Sequence, residues 1–96
     1  MPDFSEIVSE RLTRPILQLC ELFAEEGALD QYTFFSGISN MLRDPSDEPM
    51  ILAATIELSR CAFLGFVYSR EAQTRIDKIL EDAIDIAYTM SASDVN

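Results

Sequence analysis

A nearly uninterrupted apolar stretch runs from Met50 to Val67 and restricts the folding of this 96-residue chain more than any other segment. Glu57 and Arg60 lie near its middle, where charges would be costly in the hydrocarbon of a bilayer. A helix that is apolar on nearly all sides must be covered by other parts of a protein. We therefore predict a central helix over residues 48–67 that is wrapped by other helices in water and does not span a membrane.

Helical spacing of apolar residues extends over the rest of the chain, and no alternation of apolar and polar residues indicates a strand. A first amphipathic helix is predicted over residues 4–26. Pro15 should kink or break it, because proline lacks a backbone donor and its ring crowds the preceding turn. Gly27 is placed to end this helix in the left-handed conformation, and Asp30 can cap a second helix over residues 31–43.

The last helix is predicted over residues 70–90, with Ser69 as its cap. No glycine or proline separates it from the apolar helix, so a single rod of about forty residues is the alternative to a hairpin at Tyr68–Arg70. We favour separate helices.

The chain is thus expected to be one all-α domain over residues 1–96, a small antiparallel bundle of about four helices. Residues 91–96 are expected to form a frayed tail. Because so short a chain buries a small core, we also expect a homodimer.

The net charge of the chain limits the kinds of molecule that it can bind. Seventeen acidic and seven basic residues give a formal charge of −10, which repels nucleic-acid phosphates and anionic lipids. We therefore expect neither direct nucleic-acid binding nor membrane binding. Such a charge either keeps a protein soluble or attracts a basic partner.

Cysteine usage and the first residues suggest a cytoplasmic location. Cys20 and Cys61 form no CxxC pair and lie in apolar helical patterns, which is typical of small core residues in a reducing compartment. A disulfide joining their two segments is the alternative. The acidic N-terminus also lacks the basic and apolar regions of a signal peptide.

Several classes of chemistry are disfavoured by the composition. The chain contains no histidine, which removes histidine phosphorelays, histidine-assisted nucleophiles and zinc or di-iron sites of the usual ligand types. Its three glycines stand apart, so there is no glycine-rich phosphate loop. We assign no catalytic residue, metal ligand or cofactor, and we expect the protein to act by binding.

Carboxylates on the last helix are the first candidate for a partner-binding surface. Asp77, Glu81 and Asp85, here called the acidic stripe, recur every four residues and share one face, with Asp82 beside them. Water, salt and Lys78 can balance this charge. The functional interpretation is that the stripe binds a basic partner protein.

Adjacent aromatic residues are the second candidate. Phe34 and Phe35 point about 100° apart on a helix, so one core cannot easily cover both rings. Ordinary core packing with some exposed rings is one interpretation. The other is an apolar contact surface for a second copy or another protein.

Clustered carboxylates on two helices also resemble the magnesium sites of small helical nucleotide pyrophosphatases. The residues concerned are Glu21, Glu25 and Glu26 on the first helix and Glu81, Asp82 and Asp85 on the last. The spacing between the clusters is longer than in that family, and the pattern within each cluster departs from it.

Two hypotheses for function follow. The resemblance implies a magnesium-dependent helical nucleotide hydrolase as the alternative function. The leading hypothesis is a non-enzymatic interaction or regulatory module with an acidic helical surface, such as an adaptor, inhibitor or small chaperone.

Overall fold

The computed structural model describes residues 3–94, with side chains to residue 90. The helices in this range are α1 (Phe4–Val8), α2 (Arg14–Glu26), α3 (Leu29–Met41), α4 (Glu48–Leu58) and α5 (Arg70–Asp94). A π-helical turn, Ser9–Thr13, joins α1 to α2, and a 3₁₀ turn, Ser59–Phe63, continues α4. The described residues contain no strand, and no helix among them is long and apolar enough to cross a bilayer. The predicted all-α fold is confirmed.

The π-helical turn accommodates Pro15. The backbone N–H of Arg14 donates to the carbonyl of Ser9, five residues earlier, and both residues keep right-handed helical dihedral angles. Because proline has no N–H and its ring crowds the carbonyl four residues before it, a wider turn at this point lets the chain remain helical. The first helix is therefore not broken at Pro15. It is one rod, α1 to α2, with a π-helical turn inside it.

Gly27 ends α2 in the left-handed conformation, as its position predicts, with φ of 71°. The N–H of Ala28 donates to the carbonyl of Phe23 at 2.9 Å, and the N–H of Gly27 donates to the carbonyl of Ala24 at 3.3 Å. This pair of bonds satisfies carbonyls that the end of a helix leaves free. The short connection that follows packs α3 against α2.

The next two helix starts differ in how they are capped. α3 begins at Leu29, earlier than predicted, so Asp30 lies in its first turn and does not cap it. Its carboxylate there suits the positive end of the helix dipole. α4 is capped by Asp47, whose carboxylate accepts from the N–H of Met50 at 3.3 Å.

The apolar stretch does not form the predicted helix over 48–67. α4 ends at Leu58, and residues 64–69 are not helical, with Gly65 at φ of 75°. We call residues 64–69 the strap. α4 and α5 are therefore separate helices, as we favoured, but the break between them starts well before the predicted hairpin at Tyr68–Arg70.

Aromatic packing explains why the chain leaves the helix so early. The ring of Phe66 lies 6.0 Å from that of Phe34, and the ring of Tyr68 lies 6.4 Å from that of Phe35, measured between centroids. Both pairs meet edge to face, a favourable arrangement. If α4 continued through the strap, these two rings would remain on that helix and would not reach α3.

Two hydrogen bonds hold the strap in place. The Tyr68 hydroxyl donates to the carbonyl of Cys61 at 3.0 Å, and the side-chain amide of Gln31 donates to the carbonyl of Val67 at 2.9 Å. The first closes the strap on the 3₁₀ turn, and the second ties it to α3. Backbone carbonyls outside a helix thereby obtain protein partners.

The core lies between four helical rods, and no helix occupies its centre. α2 packs against α3 and α5, and α4 packs against the same two helices, so the rods form a ring. On α5 the buried apolar residues follow one another at spacings of three and four: Ala72, Ile76, Ile79, Ala83, Ile86 and Met90. α5 continues through residues 91–94, where a frayed tail is predicted, and 95–96 lie outside the described residues.

Replacing Gly27 with alanine should lower the free energy of unfolding by about 1 kcal/mol, because a Cβ is strained at this positive φ. The matched control is Gly37→Ala in the middle of α3, where an added methyl group meets no atom within 4 Å. It should raise the free energy of unfolding by up to about 1 kcal/mol. Urea unfolding followed by circular dichroism measures both, and a shift of the same sign in both variants would contradict the role given to Gly27.

Tyr68→Phe should lower the free energy of unfolding by about 1 kcal/mol at neutral pH, because it removes the hydrogen bond to Cys61. Burial, the largest cause, raises the pKa of Tyr68 from 10.0 to about 12. A folded-state pKa above the unfolded one means that the stabilisation is complete below pH 10 and is lost as the pH rises toward 12. Urea unfolding at several pH values should show this loss in the wild type and a smaller one in Tyr68→Phe.

The control for this pH dependence is Tyr32→Phe, which changes a more exposed tyrosine of α3. It should reproduce the wild-type slope between about pH 10 and about pH 12. If Tyr32→Phe flattens the slope as much as Tyr68→Phe does, the strap tyrosine is not its source.

Candidate functional site

An apolar groove open to solvent lies between α4 and α5. Its volume is about 320 Å³. About two turns line it on each side. One side has Leu52, Thr55 and Ile56 of α4 with Ser59 of the 3₁₀ turn, and the other has Leu80, Ala83, Ile84 and Ala87 of α5.

The groove exists because α4 carries apolar residues on more sides than the core can cover. Ile51, Ala54 and Leu58 face the core, whereas Leu52 and Ile56 remain 37% and 60% exposed. The prediction that this helix is wrapped on nearly all sides is therefore wrong for the single chain. Scattered exposed apolar residues are ordinary, whereas a continuous set shared by two helices is a candidate contact surface.

The α5 side of the groove is also apolar and exposed. Ile84 is 65% exposed, and Tyr88, one turn further along the helix, is 78% exposed. Ala83 and Ala87 are small, so α4 and α5 leave a depression between Ile56 and Ile84 instead of filling it with side chains.

The acidic stripe runs along α5 beside the groove, and all three of its side chains are exposed as predicted. Glu81 precedes Ile84 by three residues and Asp85 follows it directly, so the stripe borders the α5 side of the groove. Gln73 donates to Asp77 at 2.9 Å. Within residues 3–90, no Lys or Arg forms a salt bridge with the stripe.

Asp82 does not share this surface. It is buried on another side of α5, where it lines a depression together with Pro15 and Gln18 of α2. Its carboxylate accepts from the ammonium group of Lys78 at 3.2 Å. Asp82 thus belongs to an ion pair at the contact between α2 and α5 and not to the surface that carries the acidic stripe.

Phe34 and Phe35 are covered by the chain itself. Phe35 is fully buried, with its ring 5.4 Å from that of Phe23, and Phe34 is half-buried against Phe66 of the strap. The two rings do point in different directions, but the strap covers the one that the core does not. Phe35 therefore offers no surface to a partner, and Phe34 offers little.

Sequence reasoning missed the groove residues Leu52, Ile56 and Ile84. Leu52 and Ile56 were missed because the apolar stretch predicts that every apolar residue in it is covered by other helices. A signal for the third was present: Ile84 and Tyr88, four residues apart, interrupt the otherwise polar face of the last helix.

The two carboxylate clusters compared with a magnesium site lie at different ends of the α2–α5 pair. Glu21 and Glu25 line a depression with Glu71, whereas Asp82 lies with Pro15 near the start of α2. The two helices therefore run antiparallel, and about 15 Å of helix axis separates the clusters. Over the described part of the chain, no three Cys, Asp or Glu side chains are grouped so that they could hold a metal ion. This geometry gives the magnesium hypothesis no support.

The two thiols are free and buried. Burial raises the pKa of Cys20, and burial is also the largest cause that raises the pKa of Cys61. A thiol held protonated is a poor nucleophile and a poor metal ligand. Both cysteines fit the predicted role of small core residues.

No family model matches the chain, and neither a curated protein nor a solved structure shows significant similarity to it. The groove and the acidic stripe are therefore the features on which a function can be proposed.

Lysine in place of Ile56 or Ile84 should change the free energy of unfolding by less than about 1 kcal/mol, because both side chains are mostly exposed. Ile76→Ala, at a position 1% exposed on the same helix as Ile84, should lower it by about 2–5 kcal/mol. Chemical unfolding measures all three. A loss at Ile84 as large as that at Ile76 would show that the groove is part of the core of the folded chain.

Proposed function

We propose that the protein is a non-catalytic interaction module that binds a helix of another protein in the groove between α4 and α5. The observation that carries this proposal is the pair of mostly exposed isoleucines, Ile56 and Ile84, which line one depression from two different helices. Covering both would remove a large apolar area from water, and burial of one such side chain contributes about 1.5–3 kcal/mol.

The dimensions of the groove suit a helix. Its lining covers residues 52–59 and 80–87, about 10 Å along each helix axis. A third helix laid between α4 and α5 would present apolar residues at i, i+3 or i+4, and i+7, which is the usual pattern of helix-in-groove recognition. A contact of this size is typical of a transient complex.

The polar groups of the lining favour binding over chemistry. Thr55 and Ser59 carry its hydroxyls, and each donates to a carbonyl of α4, at 2.7 Å to Leu52 and 2.6 Å to Ile56. These bonds satisfy the hydroxyl hydrogens and leave a surface that offers mainly shape and apolar area. Adaptors, inhibitors and small chaperones can all act by holding a partner's helix in such a groove.

A second copy of the chain is the competing occupant of the same groove. The homodimer expected from the small size of the domain would have to cover exposed apolar area, and the groove is a continuous area of that kind. The experiment must therefore separate a peptide ligand from self-association.

Selection of a random-peptide display library on the immobilised protein tests the proposal. We expect enriched peptides with apolar residues at helical spacing, and at least tenfold weaker binding to Ile56→Lys and Ile84→Lys, because a hot-spot residue contributes about 1.4 kcal/mol or more. The matched control is Leu17→Lys, which changes a half-exposed leucine of α2 outside the groove. It should bind the same peptides like the wild type.

Two results would contradict the proposal. One is selection that enriches no peptide sensitive to Ile84→Lys. The other is a concentration-dependent dimer in sedimentation equilibrium that Ile84→Lys dissociates and Leu17→Lys does not, since a second copy would then occupy the groove.

A further inference from the structure

We infer, on the basis of the proposed function, that the partner helix is basic along one flank only, the flank that lies beside α5. The groove itself favours apolar side chains of the partner and does not determine the partner's charge. The charge of the partner follows from the difference between the two rims of the groove.

The α5 rim is acidic and the α4 rim is neutral. The stripe places the carboxylates of Asp77, Glu81 and Asp85 along the α5 side, each one turn from the next. On the α4 side, Glu57 pairs at 3.0 Å with Arg60 of the 3₁₀ turn, and Glu48 lies in the first turn of α4, before the residues that line the groove. A partner helix in the groove therefore meets the three negative charges of the stripe on one side, and on the other a cancelled pair with only Glu48 past the end of the lining.

The basic residues of α5 nearest the stripe are engaged by other carboxylates. Lys78 bonds to Asp82 at 3.2 Å, and Arg75 approaches Glu71 at 4.0 Å. Both basic side chains line depressions shared with α2, on the other side of α5 from the groove. Like charges four residues apart repel one another along a helix, and cations supplied by a partner would relieve that repulsion.

A second copy of the chain does not supply that basic flank by the usual symmetric contact. In a two-fold dimer the groove would face the groove of its partner, so each stripe would meet either the other stripe or the α4 side, where Arg60 is already paired with Glu57. Each chain also carries a formal charge of −10. Charge complementarity thus favours a different, basic protein segment as the occupant.

The pitch of the stripe specifies the pattern of the flank. Carboxylates four residues apart are about 6 Å apart along the axis, so Lys or Arg at i, i+4 and i+8 of a roughly aligned helix would meet them in turn. Tyr88 extends the exposed apolar line of α5 one turn past Ile84. Its ring face would suit an arginine better than a lysine at the end of the flank.

The inference is tested with the peptides selected by the groove. We expect Lys and Arg to be enriched along one helical flank of those peptides. Neutralising the stripe, as D77N/E81Q/D85N, should weaken the binding of a basic-flanked peptide by about tenfold at low salt, the sum of three exposed ion pairs. In about 1 M salt, where the screening length falls to about 3 Å, the loss should disappear.

The matched control is E21Q/E25Q/E26Q, which removes the same number of charges from the end of α2. It should weaken binding less than twofold. Equal losses in the two triple variants would reduce the effect to net charge and overturn the inference, as would no loss in the stripe variant.

The same experiment separates this inference from the function on which it rests. Peptides that depend on Ile84 but show no enrichment of basic residues would leave the groove function standing and refute the basic flank. No Ile84-dependent peptides at all would refute both. Circular dichroism of each triple variant should show unchanged helix content, because the substituted side chains are exposed.

Discussion

The packing of the strap rings Phe66 and Tyr68 against Phe34 and Phe35 determines the architecture of this protein. Burying an aromatic side chain contributes about 1.5–3 kcal/mol, which outweighs the few helical residues lost by ending α4 early. The contact draws residues 64–69 toward α3 and separates α4 from α5. Without it, the apolar stretch would have no reason to stop at Phe63, and a continuous rod could bury its length only against a second chain.

The groove and its acidic rim follow from this early reversal. Once α4 is a short member of a four-rod ring, one of its sides meets the core and the side with Leu52 and Ile56 faces water. α5 lies next to it with Ile84 on the same surface and with the acidic stripe immediately beyond. An apolar site bordered by charge on one side therefore arises from the geometry of the fold, not from any single motif.

Much of the fold could be predicted from the sequence because it depends on local physics. Periodicity predicts the helices, and the position of Gly27 predicts the end of α2. The end of α4 could not be predicted, because it depends on rings of α3 and the strap that lie far apart in the chain. Of the candidate site, the acidic stripe was found, whereas the groove and the burial of Asp82 depend on which helices are neighbours.

The π-helical turn Ser9–Thr13 determines which side of the segment before it faces the core. Val8, Leu12 and Ile16 are 0%, 1% and 0% exposed, although two successive steps of four residues rotate by about 80° away from a straight line on a regular α-helix. The wider turn takes up part of that rotation, so that apolar positions on both sides of it point into one core. In a lineage of such sequences, loss of a single residue from this turn would restore a regular helix without turning the segment before it away from the core, because seven α-helical steps fall only about 20° short of two full turns. Val8 would keep its place in the core, and only the space that the wider turn provides beside Pro15 would be lost.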